Sequence, residues 1–222
     1  MGTASAAAAR SSLGVDAAGT DNAPSGTTTT AGKLELATLA EAIAGTDTAR
    51  AVTPFGVMGN TGVVHQFLDT PLVTTSGTSW TFTAPNALIT RAEVLFTAFS
   101  LDDADETIIQ IGDSGGVSTS GYISTASQVD SAIAVEDRTD GFAITEAQTA
   151  ANPYYGAIVL TLIDTGSFIW GSSGSLLDYT DSRNKLSVGV CTDLASALTT
   201  IVIKGDAGAN GDLGTVNVRW FW

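Results

Sequence analysis

Gly112-Asp-Ser-Gly-Gly116 is the pattern that surrounds the nucleophilic serine of a Ser-His-Asp hydrolase, and His65 and Asp102 precede Ser114 in the chain. That chemistry needs an imidazole against the serine hydroxyl and a buried carboxylate orienting the ring. His65 and Ser114 are too close in sequence to stand on the two barrels that this residue order serves, and Val117 takes the place of the proline that ordinarily follows. The segment reads as a glycine-rich turn after a strand ending at Ile111. Asp102-Asp-Ala-Asp-Glu106, with Asp113 following, offers hard oxygen ligands for Ca²⁺. Its spacing departs from that of an EF-hand loop and no glycine supplies the sharp turn, so it reads as a solvated acidic loop. One histidine, His65, cannot make a multi-histidine metal site. One cysteine, Cys191, makes neither an intrachain disulfide nor a cysteine zinc site. No catalytic set, metal or cofactor is expected, and the chain is expected not to be an enzyme.

Aromatic residues offer a second kind of chemistry. Trp80, Trp170, Trp220 and Trp222 could stack on sugar rings, but at strand positions they are expected in the core. Tyr154 and Tyr155 follow Pro153 in an expected loop and are the candidates for contact with a receptor. Gly205, Gly208, Gly211 and Gly214 repeat every third residue, the period of a collagen helix. The run is short and lacks proline, so it reads as a loop between strands, with Asn210-Gly211 as a hairpin cue. Cys191, in an apolar run, reads as a small buried hydrophobe.

Composition limits the partners. Of 222 residues, 44% are hydrophobic and only 14% charged, against about a quarter in average domains. The exposed surface must therefore be largely Thr, Ser, Asn and Gly, which suits repeated assemblies in which like charges would otherwise face each other. The formal net charge is −14, and the nine Lys and Arg are scattered. Nucleic-acid binding is disfavoured, as is attraction to an anionic membrane. No apolar run is long enough for a membrane-spanning helix, and the N-terminal residues lack a signal-peptide pattern.

These features call for three stretches of chain. Residues 1–32 are low-complexity, without aromatic residues, and read as an extended N-terminal arm that is disordered on its own. Residues 33–62 carry a short helix, with Thr38 and Glu41 as a capping box, Leu36, Leu39 and Ile43 as an apolar stripe and Gly45 as a stop. Pro54 closes the segment. So short a helix needs something to pack on, and a symmetry mate is the economical choice. Residues 63–222 alternate strands with turns: Thr78 to Thr83, Leu88 to Phe96, Glu106 to Ile111, Gly156 to Ile163, Ser167 to Trp170, Lys185 to Cys191, Leu198 to Lys204 and Thr215 to Trp222. Asp164-Thr-Gly166 reads as a hairpin turn. No crossover helices separate the strands, so the expected fold is mainly β, a jelly-roll-like antiparallel β-sandwich.

Ala37-Thr-Leu-Ala-Glu-Ala-Ile-Ala-Gly-Thr-Asp-Thr-Ala-Arg-Ala-Val-Thr-Pro54 resembles a short module of phage tail fibres that runs Ala-Thr-x-Ala-Glu-x-x-x-Gly-x-Asp and then Val-Thr-Pro. Leu39 stands where that module usually carries Gln. Gln110-Ile-Gly-Asp-Ser-Gly-Gly-Val-Ser-Thr-Ser-Gly-Tyr122 is similar to the C-terminal β domain of phage fibre and virion proteins, as, more loosely, are the Trp170 strand and the Gly205 to Val218 ending. The resemblance implies a virion appendage, homotrimeric, anchored to other virion proteins through residues 1–32, with Leu36, Thr38, Leu39, Glu41, Ile43, Gly45 and Pro54 in the anchoring module. Its β domain would touch a host-surface glycan or protein. A capsid decoration or head-fibre protein, clamping the shell with the N-terminal arm, is the alternative. Either would be assembled in the host cytoplasm and reside in the virion.

Overall fold

The computed structural model describes residues 66–129, 134–145 and 150–222. The chain divides into two units, and the described residues belong to the second, Gln66–Trp222. The expected N-terminal arm and short helix, with Leu36, Thr38, Leu39, Glu41, Ile43, Gly45 and Pro54, lie outside the described residues, as does His65.

Among the described residues the fold is an antiparallel β-sandwich without helices. Its strands are β1 (Gln66–Leu68), β2 (Leu72–Val73), β3 (Ser79–Thr83), β4 (Arg91–Leu101), β5 (Thr107–Asp113), β6 (Gly116–Val117), β7 (Tyr122–Val129), β8 (Ala134–Arg138), β9 (Phe142–Ala143), β10 (Tyr154–Asp164), β11 (Ile169–Asp178), β12 (Arg183–Cys191), β13 (Thr200–Gly205) and β14 (Gly211–Phe221). The larger sheet runs β1-β14-β4-β10-β11-β12-β7-β8, with β2 also on β14. The smaller runs β3-β13-β5-β6, with β9 on β5. The chain passes repeatedly between the sheets: β3, β5, β9 and β13 lie in the smaller, and β4, β7, β10 and β14 in the larger.

Alternation explains the layering. In β3, Trp80 and Phe82 are buried while Ser79, Thr81 and Thr83 are exposed. β14 sends Val216, Val218 and Trp220 inward, and β4 sends Ala92, Val94 and Phe96. From the smaller sheet Ile109, Ile111, Ile201 and Ile203 meet them. Trp80 and Phe96 each pack edge-on against Phe99, with centroids 5.5 and 5.4 Å apart. Each large side chain buried here contributes roughly 1.5–3 kcal/mol relative to exposure. Cys191 is fully buried, as expected of it.

Several sequence expectations change. The Asp164 turn does join β10 to β11, but β11 continues eight residues past Trp170, through Gly171-Ser-Ser-Gly-Ser, to Asp178. β7 and β8 carry Ser, Thr, Gln and acidic residues and had no apolar signature. Leu88 to Thr90 precede β4 rather than belong to it. The Asn210-Gly211 hairpin does not form, because β13 and β14 lie in different sheets and the loop between them crosses the sandwich.

The β4–β14 pair contains a bulge that requires a glycine. The register shifts between Leu213 and Thr215, and opposite lies Ala98 at φ 53°. Gly214 adopts φ +85°, and a Cβ there would run into the Ala98 carbonyl. Gly214→Ala combines a left-handed backbone with that clash, and we expect it to cost about 2–3 kcal/mol. Urea unfolding should show the loss as a lower midpoint at unchanged slope.

Candidate functional site

Pro153 does not place both following tyrosines on a loop. Tyr154 and Tyr155 open β10, and alternation sends them to opposite faces. Tyr154 is wholly buried, which removes it from the candidate receptor contacts. Its hydroxyl reaches the buried Asp178 carboxylate at 3.4 Å, and the Lys185 ammonium lies 5.9 Å from its ring centroid. Asp178 also accepts hydrogen bonds from Asn152 Nδ2 at 3.1 Å and from the Thr180 and Asp181 amides at 3.1 Å each. This network shapes the β11–β12 turn.

Tyr155 points outward and is 40% exposed. The turn that Asp178 organises brings Tyr179 beside it, 68% exposed, with ring centroids 5.8 Å apart at 63°. The Tyr179 amide donates to the Pro153 carbonyl at 3.0 Å, which fixes the turn against the start of β10. Leu177, opposite Tyr155 in register and 41% exposed, completes an apolar tip. Asp181 and Arg183 follow, paired at 3.4 Å, and Asn184 is exposed next to them. Sequence reasoning missed Tyr179. The signal would have been β11 itself: extending the strand to Asp178 puts Tyr179 in the turn facing the start of β10.

The acidic loop is not the solvated segment expected. Asp102 and Asp103 are exposed, but Asp105 is buried. Its carboxylate accepts from the amides of Glu106 at 2.8 Å, Ala207 at 3.0 Å and Ala209 at 3.1 Å. Asp102 accepts from the Asn210 amide at 2.8 Å and from Asn210 Nδ2 at 3.1 Å. The acidic loop and the glycine-rich loop, far apart in sequence, thus clasp each other. Arg138 gathers the remaining acids nearby, bonding Glu106 at 2.9 Å, Asp140 at 3.0 Å and Asp206. Burial, with Glu136 beside it, raises the Glu106 pKa in spite of Arg138. Among the described residues no three His, Cys, Asp or Glu side chains converge to hold a metal ion.

Gly112 to Gly116 is the expected turn, joining β5 to β6. Ser114 Oγ lies 3.2 Å from Ser196 Oγ, and Asp102 is occupied by Asn210 on another loop. Asp113 accepts from the Gly115 amide at 2.7 Å, the Ala195 amide at 2.8 Å and the Ser196 amide at 3.0 Å. Asp193 accepts from Ser118 Oγ at 2.6 Å and Ser120 Oγ at 3.0 Å. The two aspartates line a shallow cleft with Ser118 and Ala195. Both are held below the usual carboxylate range, Asp113 by the Gly115 amide foremost and Asp193 by the Ser118 hydroxyl foremost. Both aspartates thereby tie neighbouring loops together.

No protein-family model matches the chain, and no curated protein sequence matches it.

The Asp113 clasp has a pH signature. Its native pKa lies below the ordinary 3.8, so its stabilisation is fully present above that value and is lost as pH falls through the depressed native value. Asp113→Asn should lower Tm by about 2 °C at pH 7, a modest figure because the group is solvent-screened. The gap to the unsubstituted protein should close below pH 3.8, which calorimetry across that range would follow.

Proposed function

We propose that this chain is a structural protein of a phage virion, a tail-fibre or similar appendage that mediates attachment to the host. The Ala37 to Pro54 segment carries this reading, since its run of matches resembles a tail-fibre module. The β domain is compatible with it. An antiparallel sandwich supplies a rigid carrier, and the Tyr155–Tyr179 pair is a large exposed aromatic feature at one end of the larger sheet.

The chemistry of that tip suits a glycan. Tyrosine rings present flat apolar faces to the C–H groups of a sugar, and their hydroxyls hydrogen-bond its oxygens. Asn184, exposed and opposite Leu177 in register, offers an amide for further hydroxyls. The net charge of −14 favours a neutral or cationic target over an anionic one. In this reading copies of the chain assemble as a homotrimer, and residues 1–32 join them to other virion proteins.

Competition for adsorption tests the proposal. Purified full-length chain, added to the bacteria on which the particle grows, should block adsorption of particles. The Tyr155→Ala, Tyr179→Ala double variant should lose at least about tenfold of that inhibition while its Tm stays within about 2 °C, because both rings are exposed. Tyr154→Ala, by contrast, should cost about 3–5 kcal/mol of stability, since it empties a core site. Undiminished inhibition by the double variant would remove the tyrosine tip from the account. No inhibition by the unsubstituted chain would remove attachment.

A further inference from the structure

The outward face of the larger sheet departs from what a solvated antiparallel sheet presents. Between Ala157 and Thr161 on β10, and at every position paired with these on β11, β12 and β7, no outward residue is charged. Large aliphatic groups stand in the open there: Ile123 is 74% exposed, Val188 60% and Leu186 46%. Charge begins at the margins. On β4, Glu93 lies beside Val159 and pairs with Arg219 at 3.2 Å. On β8, Asp137 lies beside Thr125 and bonds its hydroxyl. An uncharged apolar centre with a charged rim is the anatomy of a protein interface.

We infer that this face is where copies of the chain pack against one another, an inference that rests on the reading of the chain as an oligomeric appendage. Two observations commit the face to a second copy. The first is relief. On β12, Leu186 and Val188 form an exposed ridge, and the paired positions on β11, Ser175 and Ser173, form a groove beside it that the Ile163 side chain closes at Gly171. The ridge of one copy matches the groove of another, so the surface is complementary to itself. The second is charge. Identical chains at −14 repel each other over an acidic surface, and a neutral face is where they can approach.

Light-scattering mass of the full chain over a concentration series tests this. The unsubstituted chain should show a multiple of 22.5 kDa. Val188→Asp should bring it to the single-chain mass, shifting the association midpoint at least about 100-fold, with unchanged circular dichroism. Ser173→Arg, which fills the groove instead of charging the ridge, should do the same and serves if the first variant misfolds. Thr81→Asp, on the exposed side of the smaller sheet, should keep the oligomer. An oligomer that survives both face substitutions overturns the assignment of the face and leaves the oligomeric reading standing. A single-chain mass for the unsubstituted protein at every concentration overturns both.

Discussion

Trp170 on β11 and Trp220 on β14 are both fully buried in the core between the sheets, and this burial fixes the register on which the outer surface depends. A slip of one residue in either strand would turn a tryptophan into solvent and move its neighbours into the core. With the inward set held, the outward set follows without freedom. Leu186, Val188 and Ile123 stand exposed because Lys185, Ser187, Tyr122 and Ser124 face inward on the same strands. Tyr155 is exposed because Tyr154 is not. The surface features proposed for assembly and attachment are thus consequences of core packing.

The acidic residues do a different job. Much of the negative charge sits in loops and at strand ends, where several carboxylates close one segment against another. Asp105 closes the 205–209 segment, Asp113 the segment around Ala195, Asp178 the turn before β12, and Asp193 the serines after β6. Each bonds backbone amides or hydroxyls that would otherwise lack partners at a loop. A β-sandwich with so few basic residues cannot neutralise its acids by ion pairs, and Arg138 is the main exception, shared among Glu106, Asp140 and Asp206. Keeping these charges in loops and at strand ends leaves the outward middle of the larger sheet neutral.

Much of the sandwich was legible in the sequence because its apolar strands alternate openly, as Ser79 to Thr83 does, or run fully buried, as Ile108 to Ile111 does. The second half of β11 was not, because glycine and serine carry no β signature and Gly171 to Ser175 join the sheet through backbone bonds to strands on both sides. The Asn210-Gly211 cue misled because a turn signal states that the chain reverses, not whether the two strands share a sheet. Asp105 could not be distinguished from its exposed neighbours, since its burial depends on a loop about a hundred residues later. Tyr154 was placed with Tyr155 on a loop for one reason: the strand start was set two residues late, at Gly156 instead of Tyr154.

We propose that this chain belongs to a virion and stands at its host-facing end. Electron microscopy of purified particles labelled with antibody against the chain tests it most directly. Label is expected at the tips of tail appendages. Label confined to the head shell, or particles that carry none, would contradict it.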